Sequence, residues 1–146
     1  MKPCKLFLFL LTVIFGVNAF ALTAKEKTSE SFAYYYYQKK NYKRAIDEYR
    51  NILKENPEDP KARYNIACLY VMTKKYPLAI SEFKILIKTQ SSLKKDALYN
   101  LAAVYGRYLK DKKNASKYYA KFMEYEKQKT NKENQALSGG SNIKGN

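Results

Sequence analysis

Tyr64-Asn65-Ile66-Ala67-Cys68-Leu69-Tyr70, followed nine residues on by Ala79-Ile80-Ser81-Glu82-Phe83, is a pair of signatures that the chain carries three times. Ala67, Tyr70, Ala79, Phe83 and Leu86 stand 34 residues after Ala33, Tyr36, Ala45, Tyr49 and Ile52. They are answered again, at offsets of 35 and then 36, by Ala102, Tyr105, Ala115, Tyr119 and Phe122. A period in this range marks a stack of like supersecondary units, each of which needs its neighbour to bury an apolar face. Architectures of that kind usually bind rather than catalyse.

The spacing within a unit resolves it into two short helices. Ala67/Tyr70 and Ala79/Phe83/Leu86 are three or four residues apart, which sets them on one helical face. The polar breaks Lys39-Lys40-Asn41 and Thr73-Lys74-Lys75 are long enough for a tight turn between helices. Pro77 falls just inside its helix, where a missing N–H costs nothing, and Asn56-Pro57-Glu58-Asp59-Pro60 separates the first unit from the second. Alanine at 33, 67 and 102 and at 45, 79 and 115 marks the places where helices cross too closely for a larger side chain.

With these residues in view, the chain resembles the tetratricopeptide repeat family. The motifs are Phe32-Ala33-Tyr34-Tyr35-Tyr36 with Ala45, Tyr49, Ile52 and Pro57; Tyr64-Asn65-Ile66-Ala67 with Tyr70, Ala79 and Phe83; and Tyr99-Asn100-Leu101-Ala102 with Tyr105, Ala115 and Tyr119. The likeness covers residues 26–129, as repeats of about 26–59, 60–94 and 95–129. It implies an all-α fold, a right-handed α-solenoid of three helix-turn-helix repeats whose first helices line a concave, peptide-binding face. The chain departs from the family pattern in three places. Ser31 replaces an asparagine, Ser91 replaces a closing proline, and an extra residue lies near Gly106–Asp111.

The groove that the resemblance implies is lined by Tyr34, Tyr37, Tyr64 and Tyr99, with Asn65 and Asn100 beside them and Arg107 as one cationic contact. An aromatic ring with a polar tip beside an amide suits a peptide backbone; the alternative for Tyr64 and Tyr99 is packing between adjacent helices. Tyr36, Tyr49, Tyr70, Tyr105 and Tyr119 fall at packing positions and are expected in the core. Some relatives grip a C-terminal carboxylate with lysine, arginine and asparagine. Here Glu30, Tyr34, Asp96 and Asn100 occupy those places and only Asn65 agrees, which argues against that ligand.

The chain of 146 residues has 28 basic and 13 acidic side chains, a net charge of +15. Such a field attracts polyanions, and the lysine-rich surface offers an alternative function as an electrostatic tether to anionic lipid or cell-wall polymer. No nucleic-acid-binding signature is present, and nucleic acid is not an expected partner. Histidine is absent, no glycine-rich phosphate loop occurs, and Cys68 has no evident base beside it, so no catalytic residue, metal site or cofactor is expected.

The ends read differently from the repeats. Lys2 and Lys5, the apolar run 6–17 and Ala19-Phe20-Ala21 have the layout of a secretory signal peptide over residues 1–21, with an uncleaved membrane anchor as the alternative. Cleavage after Ala21 would leave 26 basic against 13 acidic residues, a net +13, and Cys68 as the one remaining thiol. The expected place is then the periplasm or cell envelope, and the expected function a non-catalytic adaptor for an envelope protein segment. Lys112 and Ser116 replace the apolar Tyr42/Ile46 and Tyr76/Ile80 of the earlier repeats, which caps the array. Met123 leaves a small apolar patch, so a monomer is expected with a weak dimer as the alternative. Residues 130–146 lack an apolar period and read as a disordered tail.

Overall fold

The structure, a computed structural model, describes residues 28–89 and 91–139. Among them are six helices and no strand: α1 (28–38), α2 (Tyr42–Glu55), α3 (Pro60–Met72), α4 (Tyr76–Lys88), α5 (Lys94–Ala103, continued by a π-helical turn Val104–Tyr108) and α6 (Lys112–Gly139). They pair as α1/α2, α3/α4 and α5/α6, the three helix-turn-helix units that the period predicts. The expected signal segment lies outside the described residues. The chain divides into two compact units, Met1–Ala62 and Arg63–Asn146.

The first unit holds α1 and α2. Ala33 and Ala45 are fully buried, so the small residues do sit at a close crossing, and Ile46 and Ile52 add the apolar face of α2. Asn41 caps α2, its Oδ1 accepting the Arg44 N–H at 3.3 Å. The Arg44 guanidinium lies 5.4 Å from the centre of the Tyr36 ring and Nη1 donates to its hydroxyl at 3.3 Å, which ties the two helices across the turn.

The second unit carries the larger core. Ile66, Ala67, Leu69 and Tyr70 of α3 are buried, as are Ala79, Phe83 and Leu86 of α4 and Ala97, Leu98, Leu101 and Ala102 of α5. The α4 helix packs on α5, and α5 on α6. Arg63 Nη1 and Glu82 Oε2 are 2.9 Å apart and both half-buried, so Glu82 is a bridge between α3 and α4 rather than a solvated charge.

One turn design recurs. Lys40, Lys74 and Lys110 all have φ between 56° and 59°, the left-handed conformation that usually falls to glycine at a helix C-terminus. In the second repeat Lys74 N–H donates to the Val71 carbonyl and Lys75 N–H to that of Tyr70, and the first repeat makes the same pair through Lys40 and Asn41. The third differs by one residue. Asp111 N–H reaches back six positions to the Tyr105 carbonyl, and Leu109 N–H reaches five to Val104. The extra residue seen in the sequence is thus taken up inside the helix as a π-turn, not in the loop. Gly106 lies on that turn, facing α6. A Cβ there would meet the Ala115 Cβ at 3.3 Å.

Two expectations are corrected. The α6 helix continues to Gly139, so the first ten residues read as disordered tail are helical, while 140–146 lie outside the described residues. Lysine, glutamate and glutamine there are good helix formers, Lys129 and Glu133 pair at i,i+4 (3.7 Å), and no glycine or proline intervenes. Tyr119 is 50% exposed rather than core, because no described helix covers the outer side of α6 as later helices cover Phe83.

Candidate functional site

The predicted groove residues fall in both units. In the first, Tyr34 and Tyr37 stand on the open side of α1 with their ring centres 6.5 Å apart, Tyr34 being 61% exposed. Gln38 Nε2 donates to the Tyr34 hydroxyl at 2.7 Å, and Tyr37 leans on Tyr42 at 6.3 Å. Helical spacing presents both rings one turn apart, so this unit offers an amphipathic aromatic surface.

In the second unit the structure separates bracing residues from open ones. Tyr64 packs edge-on against Phe83 (5.9 Å) and its hydroxyl accepts a 2.7 Å hydrogen bond from Asn100 Nδ2. Asn100 spends its second amide proton on the Asp96 carbonyl at 2.9 Å. These two residues therefore join the first helices of adjacent repeats as a strut, and only the Asn100 Oδ1 is left to accept from a ligand. Burial, with the neighbouring Cys68 and Asp96, pushes the Tyr64 phenol up to about 12. Burial likewise pushes the Cys68 thiol above its usual range, which keeps it protonated and unreactive.

Tyr99, Asn65 and Arg107 remain available. Tyr99 leans on Phe122 (5.6 Å) yet is 52% exposed. Asn65 is half-buried and Arg107 exposed, and neither has a hydrogen-bond or ion-pair partner among the described residues. Tyr99, Asn100 and Arg107 meet at a cavity of about 280 Å³ between α3 and α5, just under the usual range for small-molecule pockets and large enough for one side chain. Tyr99, Ala103 and Arg107 also edge a shallow depression of about 370 Å³ shared with Ala115 and Tyr119 of α6.

The sequence reading missed the far wall of the cavity, formed by Cys68, Val71, Met72 and Phe83, and the part played by Tyr108. Apolar residues on α3 read as core from the sequence, and only the placement of α5 shows that some of them face a void. The signal for Tyr108 was the odd offset of the third repeat. Among the described residues no group of side chains has the makings of a metal site, and no helix is long and apolar enough to cross a membrane.

One tetratricopeptide repeat family model matches residues 36–101 and a second matches 96–128. No curated protein matches the chain. Three helix pairs with alanine at their crossings, matched over 36–128, make this chain a member of the tetratricopeptide repeat family, whose repeats generally mediate protein–protein interaction and are typically non-catalytic.

Proposed function

We propose that the chain is an exported adaptor of the cell envelope that holds a segment of a partner protein against the first helices of its repeats. The observation that carries this reading is a cavity of about 280 Å³ edged by the uncommitted Tyr99 and Arg107, with Asn65 likewise uncommitted on α3. Aromatic area, a backbone-binding amide and one cation are what an extended or helical segment needs for capture. Export rests on the layout of residues 1–21. An intact mass of protein recovered from cells that corresponds to residues 22–146 supports export, and one for 1–146 in the membrane fraction favours the anchored alternative.

The direct test is in-cell crosslinking and mass spectrometry of the wild type beside Asn65→Ala/Tyr99→Ala and Tyr34→Ala/Tyr37→Ala. These variants spare the Tyr64–Asn100 strut and remove only half-exposed ring contacts, so they should still show cooperative helical melts. An envelope protein recovered by the wild type and lost with either variant supports the adaptor. Equal recovery by all three removes the groove from the account.

A second reading is favoured by the lysines at 40, 74 and 110, each exposed at the same turn of its repeat. They suit a tether to anionic lipid or cell-wall polymer. Vesicle binding that falls steeply with salt, and that survives the tyrosine variants, would favour it.

A further inference from the structure

The extra residue of the third repeat changes what the groove can recognise. In the second repeat the first helix runs without interruption to its left-handed Lys74, whereas α5 passes through the π-turn Val104–Tyr108 before its left-handed Lys110. That turn sets Tyr108 flat against Tyr76, with ring centres 5.1 Å apart and planes 17° from parallel, and puts Arg107 at the edge of the cavity. The inner surface is mostly apolar: Phe83 and Val104 are fully buried, Val71, Ala103 and the uncharged Cys68 thiol join them, and the Asn100 amide is its polar member. Met72, 46% exposed, and the open Tyr108 add apolar area to the rim beside Arg107.

Charge decides what would enter. Arg107 has no acidic partner among the described residues, Glu82 is taken by Arg63, and Asp96 lies eleven residues back along α5, or about 16 Å at 1.5 Å per residue. The chain as a whole is strongly basic. An apolar socket with one uncompensated guanidinium at its mouth complements an apolar side chain with a carboxylate next to it. We propose that the socket beside the π-turn is a specificity pocket for a partner segment presenting an aliphatic side chain adjacent to an aspartate or glutamate. This rests on the adaptor reading and adds the chemistry of the segment.

The test is a titration of the full-length chain, followed by amide chemical shifts, with two end-blocked peptides, acetyl-Gly-Leu-Asp-Gly-amide and acetyl-Gly-Leu-Asn-Gly-amide. The expected result is shifts centred on Cys68, Val71, Ala103 and Arg107. Affinity for the aspartate peptide should be about threefold to tenfold higher, the range for a partly exposed, charge-assisted contact. Arg107→Gln should bring the two peptides within twofold of each other and leave the asparagine peptide unchanged. Arg107→Lys should keep part of the preference, and Ala103→Phe, which fills the socket, should abolish both interactions. Equal affinities for the wild type, shifts elsewhere, no shifts at saturating peptide, or stronger binding of an acetyl-Gly-Gly-Leu peptide with a free C-terminus would each overturn the proposal. The peptides also separate this inference from its parent. A partner captured in cells equally by wild type and Arg107→Gln sinks the pocket and spares the adaptor. Discrimination between peptides without any groove-dependent partner in cells does the reverse.

Discussion

The strut between Tyr64 and Asn100 can be measured as a coupling energy. The Asn100 Nδ2 to Tyr64 hydroxyl bond is 2.7 Å long, half-buried, and links the first helices of two repeats. A neutral hydrogen bond of this kind contributes about 1 kcal/mol net. Tyr64→Phe keeps the ring against Phe83 and deletes the hydroxyl, so it should cost about 1 kcal/mol. Asn100→Ala deletes the same bond together with the one to the Asp96 carbonyl, and should cost about 1.5 to 2 kcal/mol. The shared bond is lost only once in the double variant, whose cost should fall short of the sum by about 1 kcal/mol. In urea unfolding followed by circular dichroism, each kilocalorie moves the midpoint by about 0.5 M at a slope of about 2 kcal/mol/M. The Cys68 contact made by the same hydroxyl is absent from both variants that lack it, and cancels in the cycle. A coupling below about 0.3 kcal/mol would refute the strut and return both residues to the ligand-binding face.

Three further outcomes follow from the same geometry. Phe83→Ala empties a site that is 0% exposed and should cost about 3 to 5 kcal/mol in urea unfolding, and a loss under about 1 kcal/mol would mean that the second unit does not depend on this core. Lys74→Gly relieves a left-handed lysine and should raise stability by about 0.5 kcal/mol, after allowing for the greater freedom of glycine in the unfolded chain; a destabilised variant would show that the turn is held by the lysine side chain itself. The folded state resists ionisation of Tyr64, whose phenol is raised to about 12 from 10.0, so its stabilising contribution is complete below pH 10 and is lost as pH rises toward 12. Ultraviolet titration should show one phenolate appearing late, and Tyr64→Phe should remove that phase and flatten the alkaline fall in stability.

The alanines made the fold legible, because a residue at a helix crossing is selected for size and its burial follows from the period alone. Ala33, Ala45, Ala67 and Ala79 are fully buried and Ala102 nearly so, while Ala115, on the uncovered α6, is half-buried. Tyr119 misled because its pattern is the same as that of Phe83, while its burial depends on a covering helix that its own repeat does not contain. The tail misled for a different reason. An apolar period reports packing, and α6 beyond Thr130 is helical without packing, its described side chains exposed and its support coming from local pairs and propensity. The site was legible in its surface and not in its depth. Tyr99, Asn100 and Arg107 could be set on one helix face by counting, but whether one extra residue lengthens a loop or swells a helix depends on what α6 packs against. Gly106 stands against Ala115 of α6 on that turn, where an added Cβ would meet it at 3.3 Å.

The central claim is that partners meet the first helices of the repeats. A photo-crosslinking residue placed at Tyr99 samples that face, and one at Lys84, exposed on α4, samples the other. In living cells the account predicts a discrete adduct with one protein from Tyr99 and none from Lys84. An adduct from Lys84 alone, or the same adducts from both positions, would contradict it.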